Sequence, residues 1–343
     1  MGTSRLAPLE RLAGSRAPAV ALVLMFAVAT LQCGEEGSPT RPSPQTAVSM
    51  PGTTSAELDE LLGVMRKYSA NAGRIDWEAF RAAVVTAAGG NSAPNFSAAV
   101  SVALGLLDDH ESYYGGNGLV IGTPPVGGCG APIAGVRVPD TIGYVRVGGC
   151  LCQGAAQIAQ FAESIQNAIR TADRAGLTGW IVDFRGNGGG NMWPMIAGVG
   201  PVLGEGHLGW VVYNDREYER EYVDGGAQSF GEVFARVASP YTLQQPFPKV
   251  AVLTDGSVVS AGEAVVVFFK NRPQTRSFGT ATCGHHHLLQ EFALGDGSTL
   301  VLVTARHADR QRVQYSGPIQ PDEMVVDPTQ AVERAVAWLQ ARD

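Results

Sequence analysis

The sequence has no basic stripe with interleaved aromatics, and its formal charge is −7, so nothing in it supports a nucleic-acid partner. It has no internal repeat, which excludes a solenoid. Its apolar run from Ala19 to Leu31 is too short for a comfortable membrane span. Its glycine-rich stretch Gly186-Asn-Gly-Gly-Gly190 lacks the Lys-Ser/Thr ending of a phosphate loop and the offsets of a dinucleotide fingerprint. No cofactor is therefore implied. What remains is 343 residues, 45% hydrophobic and 17% charged, an ordinary composition for a chain with a sizeable core.

The N-terminus carries the marks of export. Arg5, Arg11 and Arg16 precede the apolar run, which is of signal-peptide length. The run ends at Leu31-Gln-Cys33-Gly34, similar to a bacterial lipoprotein signal with Cys33 as the lipidated residue, although Gln32 departs from the usual small residue. The expectation is an exported protein, periplasmic or in the cell envelope with an N-terminal lipid, alternatively secreted. Four more cysteines remain, Cys129, Cys150, Cys152 and Cys283. In an exported protein they are disulfide candidates. Cys150 and Cys152 are too close for an easy mutual bridge, so each is expected to pair with Cys129 or Cys283.

Residues 1–33 thus read as an export signal and 34–53, rich in Ser, Pro, Thr and Gly, as a flexible tether. Residues 54–115 read as a helical bundle. Thr54-x-x-Glu57 starts one helix, Asp76 caps a second, and a third runs from about Ser97 to Leu107. Residues 116–343 read as α/β. A strand at 141–147, an amphipathic helix at 155–175 and a strand at 179–184 form a βαβ unit with parallel strands. Residues 217–239 read as polar and irregular, and 290–304 as a hairpin around Gly295-Asp-Gly297.

The stretch from Val250 to His287 carries the chemistry. An apolar strand, Val250 to Thr254, runs through a turn into Ser260-Ala-Gly-Glu263 and a helix. Ser-x-x-Glu is a capping box, which alone explains both residues. A serine at a strand-to-helix turn is also where a nucleophile is held rigid beside helix N–H groups that can face an oxyanion. The Gly186–Gly190 turn offers a second set of N–H groups for the same purpose, or is a plain tight turn. His110, flanked by acids at a helix end, is a place for a base or a solvated helix terminus. Cys283 with His285, His286 and His287 has ligand-type residues, but three consecutive histidines point in different directions, so no metal is expected.

Three separated stretches resemble the C-terminal processing (tail-specific) serine peptidases, relatives of the tricorn core protease and the interphotoreceptor retinoid-binding proteins. They are Ile181-Val-Asp-Phe-Arg-Gly-Asn-Gly-Gly-Gly190, Ser260-Ala-Gly-Glu263 and Gly317-Pro-Ile-Gln-Pro-Asp322. The resemblance implies a ClpP/crotonase-like βαβ core behind a helical segment, and a serine peptidase that cleaves peptides or proteins through an acyl-enzyme. It makes Ser260 the nucleophile and the N–H groups of Gly188 or Gly189 and of Ala261 the oxyanion donors. The tail-specific lysine is absent: its position holds His285, and Lys270 is no substitute. The tricorn-like branch takes its base from an N-terminal histidine, which here is His110, with His285 as runner-up. Asp322 or Glu323 is the candidate acid to orient the imidazole. The interval from His110 to Thr141 is too short for a PDZ domain. The retinoid-binding relatives imply the alternative, a catalytically inactive peptide- or hydrophobic-ligand-binding protein on the same fold.

Overall fold

A computed structural model describes residues 55–116, 118–122, 136–213 and 216–341. The export segment with Cys33, the tether, Thr54 and Cys129 lie outside the described residues. Three helices come first: α1 (Ser55–Tyr68), α2 (Trp77–Ala87) and α3 (Phe96–Leu107). Asp76 caps α2 as its sequence setting predicts, accepting the N–H groups of Glu78 and Ala79. α3 ends at Asp108, which takes the left-handed conformation at φ 54°.

The chain then enters β1 (Tyr113–Gly116) and β2 (Leu119–Gly122), an antiparallel pair. β1 crosses the boundary expected between a helical and an α/β part. The helices share their core with a sheet. Leu61, Met65, Val100 and Leu107 form one apolar cluster with Tyr114, Leu300 and Leu302 of its strands.

The βαβ unit is present as β3 (Ile142–Arg146), α4 (Gly154–Ala172) and β4 (Gly179–Asp183), with β3 and β4 parallel. Next come α5 (Met192–Leu203), β5 (Gly206–Tyr213), β6 (Arg216–Val223), β7 (Gly226–Ser229) and β8 (Glu232–Arg236). Residues 217–239, expected to be irregular, therefore hold most of a three-strand antiparallel meander. β9 (Val250–Thr254), α6 (Ala261–Phe269) and β10 (Thr275–Gly279) come after it, then the hairpin of β11 (Leu288–Ala293) and β12 (Thr299–Ala308). The short β13 (Glu323–Met324) and α7 (Pro328–Gln340) complete the described fold.

Two sheets result. The parallel one has the order β13-β10-β9-β4-β3. Its central strands are buried on both faces, which is why β9 reads as a continuous apolar run rather than an alternation. Val182 and Val252 join a cluster with α4, α5 and α6, while Ile181, Ala251 and Leu253 pack on Val332, Ala335 and Leu339 of α7. The antiparallel sheet has the order β2-β1-β12-β5-β6-β7-β8, with β11 on the other edge of β12. α6 is buried at all nine positions and packs on β5 and β12, so it lies between the sheets.

Candidate active site

Ser260 stands between β9 and α6 with φ 56° and ψ −121°. That backbone region is strained for a residue with a side chain, and such strain is maintained only where the surroundings over-determine it. They do so here. The Val259 N–H donates to the Asn187 carbonyl at 3.0 Å, and the Cys283 N–H donates to the Val258 carbonyl at 2.9 Å. Asp255 Oδ1 takes the N–H groups of Gly186 at 3.1 Å and Ser257 at 2.9 Å, tying the two turns together. Ser260 and Glu263 occupy the capping-box positions, and Glu263 accepts the Ser260 N–H at 3.1 Å. The two readings of Ser-x-x-Glu thus coexist: the glutamate caps, and the serine is held at the turn.

The glycine turn abuts the serine. A Cβ on Gly189 would lie 2.9 Å from Ser260 Cβ and 2.8 Å from the Val259 carbonyl, and its φ is +84°. Only glycine fits. Asn187 organises this turn from inside: its amide nitrogen donates to the Val147 carbonyl at 3.0 Å, and its Oδ1 accepts the Gly189 N–H at 2.9 Å. Of the donors considered from sequence, Gly189 is therefore occupied. The N–H groups of Gly188 and Ala261 have no hydrogen-bond partner among the described residues. They are the two that can serve an oxyanion.

Glu263 is fully buried and accepts four hydrogen bonds. Oε1 takes the Thr282 hydroxyl and the Gly284 N–H, and Oε2 takes the N–H groups of Ser260 and His285. One carboxylate oxygen thus holds the backbones of residues 260 and 285 side by side. The His285 ring stands with Nδ1 3.9 Å from Oε2 of Glu111, a residue absent from the sequence-based candidates.

Glu111 is brought in by the edge of β12. That edge takes β1 along residues 299–301 and β5 along 305–308, leaving a gap between them. In the gap the Val303 N–H donates to Ser112 Oγ at 2.9 Å, and Ser112 in turn donates to Asp109 Oδ2 at 2.7 Å. Fixing Ser112 there turns the neighbouring Glu111 inward, where Oε1 meets His287 Nδ1. Burial disfavours both charged forms, raising the Glu111 pKa to about 7 and lowering that of His287 to about 4. Near pH 6 the contact is accordingly a hydrogen bond between neutral groups, not an ion pair.

The other candidates are exposed or engaged elsewhere. His110 has φ 59° and a side chain that is 90% exposed, with Nε2 3.8 Å from Asp108 Oδ1. Neither imidazole is hydrogen-bonded to Ser260 Oγ. Asp322 does not orient a histidine: it pairs with Lys270 at 3.1 Å and accepts the N–H and hydroxyl of Ser277 at 2.7 and 2.8 Å. Glu323 pairs with Arg276 at 3.2 Å and with Arg334 at 3.8 Å. Both acids anchor the loop after β12 to β10. The disulfide expectation is corrected as well. Cys150 is bonded to Cys152, and Cys283 is free. A bend brings their Cα atoms to 5.1 Å, within disulfide range despite the single intervening residue.

The buried imidazoles make a testable pH signature. His286 and His307 are shifted downward like His287, each mainly by burial. A depressed imidazole binds fewer protons folded than unfolded, so its contribution is intact above 6.5 and lost as pH falls toward about 4. Glu111 acts oppositely: the folded form keeps its proton, so stability declines as pH rises from 4.5 to about 7. Three groups outweigh one. Acidification from pH 7 to pH 4 is expected to lower Tm by about 5 °C or more, and His287→Gln to flatten part of that slope. Calorimetry across this range checks both.

Comparison with known proteins bears on the same region. Residues 141–325 match the model of peptidase family S41. The nisin-resistance protein of Lactococcus lactis subsp. lactis is 27% identical over 187 residues, covering 54% of this chain and 56% of that protein. The chain thus matches little more than half the length of that relative. A lipoprotein from Streptococcus agalactiae is similar in structure, with TM-score 0.52 and 19% identity over 87% of this chain and 100% of its own. A candidate peptidase from Parabacteroides merdae gives TM-score 0.54 and 18% identity over 85% and 98%. At these identities the structural likeness concerns the fold.

Proposed function

Because the chain belongs to peptidase family S41, we propose that it is an extracytoplasmic serine peptidase that cleaves peptides or proteins through an acyl-enzyme. The observation that carries this reading is the strained Ser260, pressed against Gly189 and flanked by the unpartnered N–H groups of Gly188 and Ala261. Ser260 Oγ attacks the scissile carbonyl carbon while an imidazole takes its proton. The carbonyl oxygen becomes an oxyanion held by the two N–H groups. Collapse breaks the C–N bond, and the imidazole returns the proton to the departing amine. Water then repeats the sequence on the acyl-serine.

His110 is the proposed base. The family resemblance assigns it, and its exposed side chain, 3.8 Å from Asp108, is not locked in place by burial. Loose catalytic contacts are usual before substrate binds. His285 is the second reading, favoured by Glu111 at 3.9 Å and by the carboxylate oxygen it shares with Ser260. In that arrangement Glu111 is the orienting acid. Peptide hydrolysis by His110→Ala and His285→Ala, singly and together, separates them. The base variant is expected to lose roughly 10²–10⁴ in kcat. If His285→Ala alone has this effect, the base is His285; if neither has it, the histidine-base mechanism is wrong.

The export signal supports an envelope or secreted location, with a lipid on Cys33 as the proposed attachment. Mass spectrometry of the mature N-terminus tests that part.

A further inference from the structure

Arg220 lies on β6 with its side chain turned into the protein. It is 2% exposed, and its Nε and Nη1 have no hydrogen-bond partner. No acid is paired with it among the described residues. A buried guanidinium without a partner costs several kcal/mol, and native proteins retain such a group only where something else meets it. Burial lowers its pKa to about 9, so it still carries its charge at neutral pH.

Its surroundings are aromatic. The guanidinium carbon lies 4.8 Å from the Trp193 ring and 5.3 Å from the Phe230 ring. Trp193 stacks on Phe234 at 4.1 Å, and Phe230 lies 4.5 Å from Tyr218. Trp193 sits at the start of α5, directly after the glycine turn whose Gly189 abuts Ser260. The arginine is therefore one aromatic ring away from the elements that hold the serine.

Phe230 is out of place by local rules. The hairpins β6–β7 and β7–β8 both close through two-residue turns with positive φ at both positions. The first uses Asp224-Gly225, as that turn favours. The second uses Phe230-Gly231, placing a large side chain at φ 55° and leaving it 53% exposed. A bulky residue in this conformation is an outlier that stability does not explain. It covers the arginine.

We infer that Arg220 is a specificity-determining residue that binds a carboxylate of the peptide substrate, beneath a cap formed by Trp193 and Phe230. A carboxylate fits because a guanidinium presents it with paired donors along an edge, and because Nε and Nη1, which carry three N–H bonds between them, are otherwise unsatisfied. The carboxylate comes from an acidic side chain or from a free peptide C-terminus. The inference rests on the peptidase reading for its placement in a substrate cleft, but its test does not depend on catalysis.

The test is the binding of fluorescein-labelled decapeptides to the full chain carrying Ser260→Ala, which cannot cleave them. Four probes are compared: one sequence with Glu or Gln at its centre, each with a free or an amidated C-terminus. The inference expects about tenfold or tighter binding for the Glu peptide, the free-acid peptide, or both, and the pattern identifies the source of the carboxylate. Adding Arg220→Met is expected to remove the preference, with circular dichroism checking that the variant folds. Equal affinity for all four probes overturns the inference, whether or not Arg220→Met folds. So does a preference that survives in folded Arg220→Met. Absence of peptide hydrolysis by the wild type, with the carboxylate preference intact, would instead count against the peptidase reading.

Discussion

Ser260→Ala is expected to lower kcat for peptide hydrolysis by on the order of 10⁴-fold or more, with almost no change in Tm. The size follows from chemistry: removing a serine nucleophile removes the covalent pathway. The small stability effect follows from the backbone. Ser260 keeps φ 56° through hydrogen bonds made by Val259, Cys283 and Glu263, and none of these needs its hydroxyl. Alanine suffers the same strain as serine. Ser260→Gly relieves it and is expected to raise stability by about 1 kcal/mol while being equally inactive. A variant that gains stability as it loses activity marks a residue kept for function. Thermal melts and steady-state kinetics on the three proteins check this.

Glu263→Ala is expected to destabilise the fold by about 3–5 kcal/mol and to abolish hydrolysis. The carboxylate is fully buried and accepts from the Ser260, Gly284 and His285 N–H groups and the Thr282 hydroxyl. Removing it leaves four donors without acceptors and leaves a cavity beside them. Glu263→Gln keeps the volume but turns one acceptor oxygen into a donor group, so it is expected to fall between. Glu263 is fully buried, out of direct reach of a substrate. It is a positioning residue, and its loss should slow covalent labelling of Ser260 in the fraction that remains folded, not merely reduce that fraction. Labelling rates measured below the melting transition separate the two.

Much of the scaffold was legible because its patterns are local. The Asp76 cap, the period of α4 and the continuous apolar run of β9 each arise within one segment. The meander at 216–236 stands where an irregular segment is expected, although its signal is in the sequence. Glu217, Glu219 and Glu221 alternate with Tyr218, Arg220 and Tyr222, a strand period of two. The inward set includes an arginine, so no apolar stripe appears. The same residue that hid the strand supports the carboxylate inference.

The site was legible as a serine turn and a glycine turn, and less so as a constellation. Gly189 was expected to offer an N–H, but Asn187 Oδ1 already accepts it. That depends on a side-chain orientation, not on a motif. Asp322 and Glu323 sit in a motif the resemblance highlighted, yet their partners Lys270, Ser277, Arg276 and Arg334 come from distant segments. Glu111 is inconspicuous in the sequence beside His110. It reaches His285 and His287 only because Ser112 fills the gap along β12, a long-range contact that no local pattern records. The Cys150–Cys152 bridge likewise depends on a bend that spacing alone does not reveal.

Whether Ser260 is a nucleophile beside a working oxyanion site is decided by intact mass after incubation with a fluorophosphonate. The predicted result is one phosphonyl adduct on the folded wild type, mapped by peptide digestion to Ser260 and absent from Ser260→Ala. A folded wild type that stays unmodified, or an adduct that persists in Ser260→Ala, would contradict it.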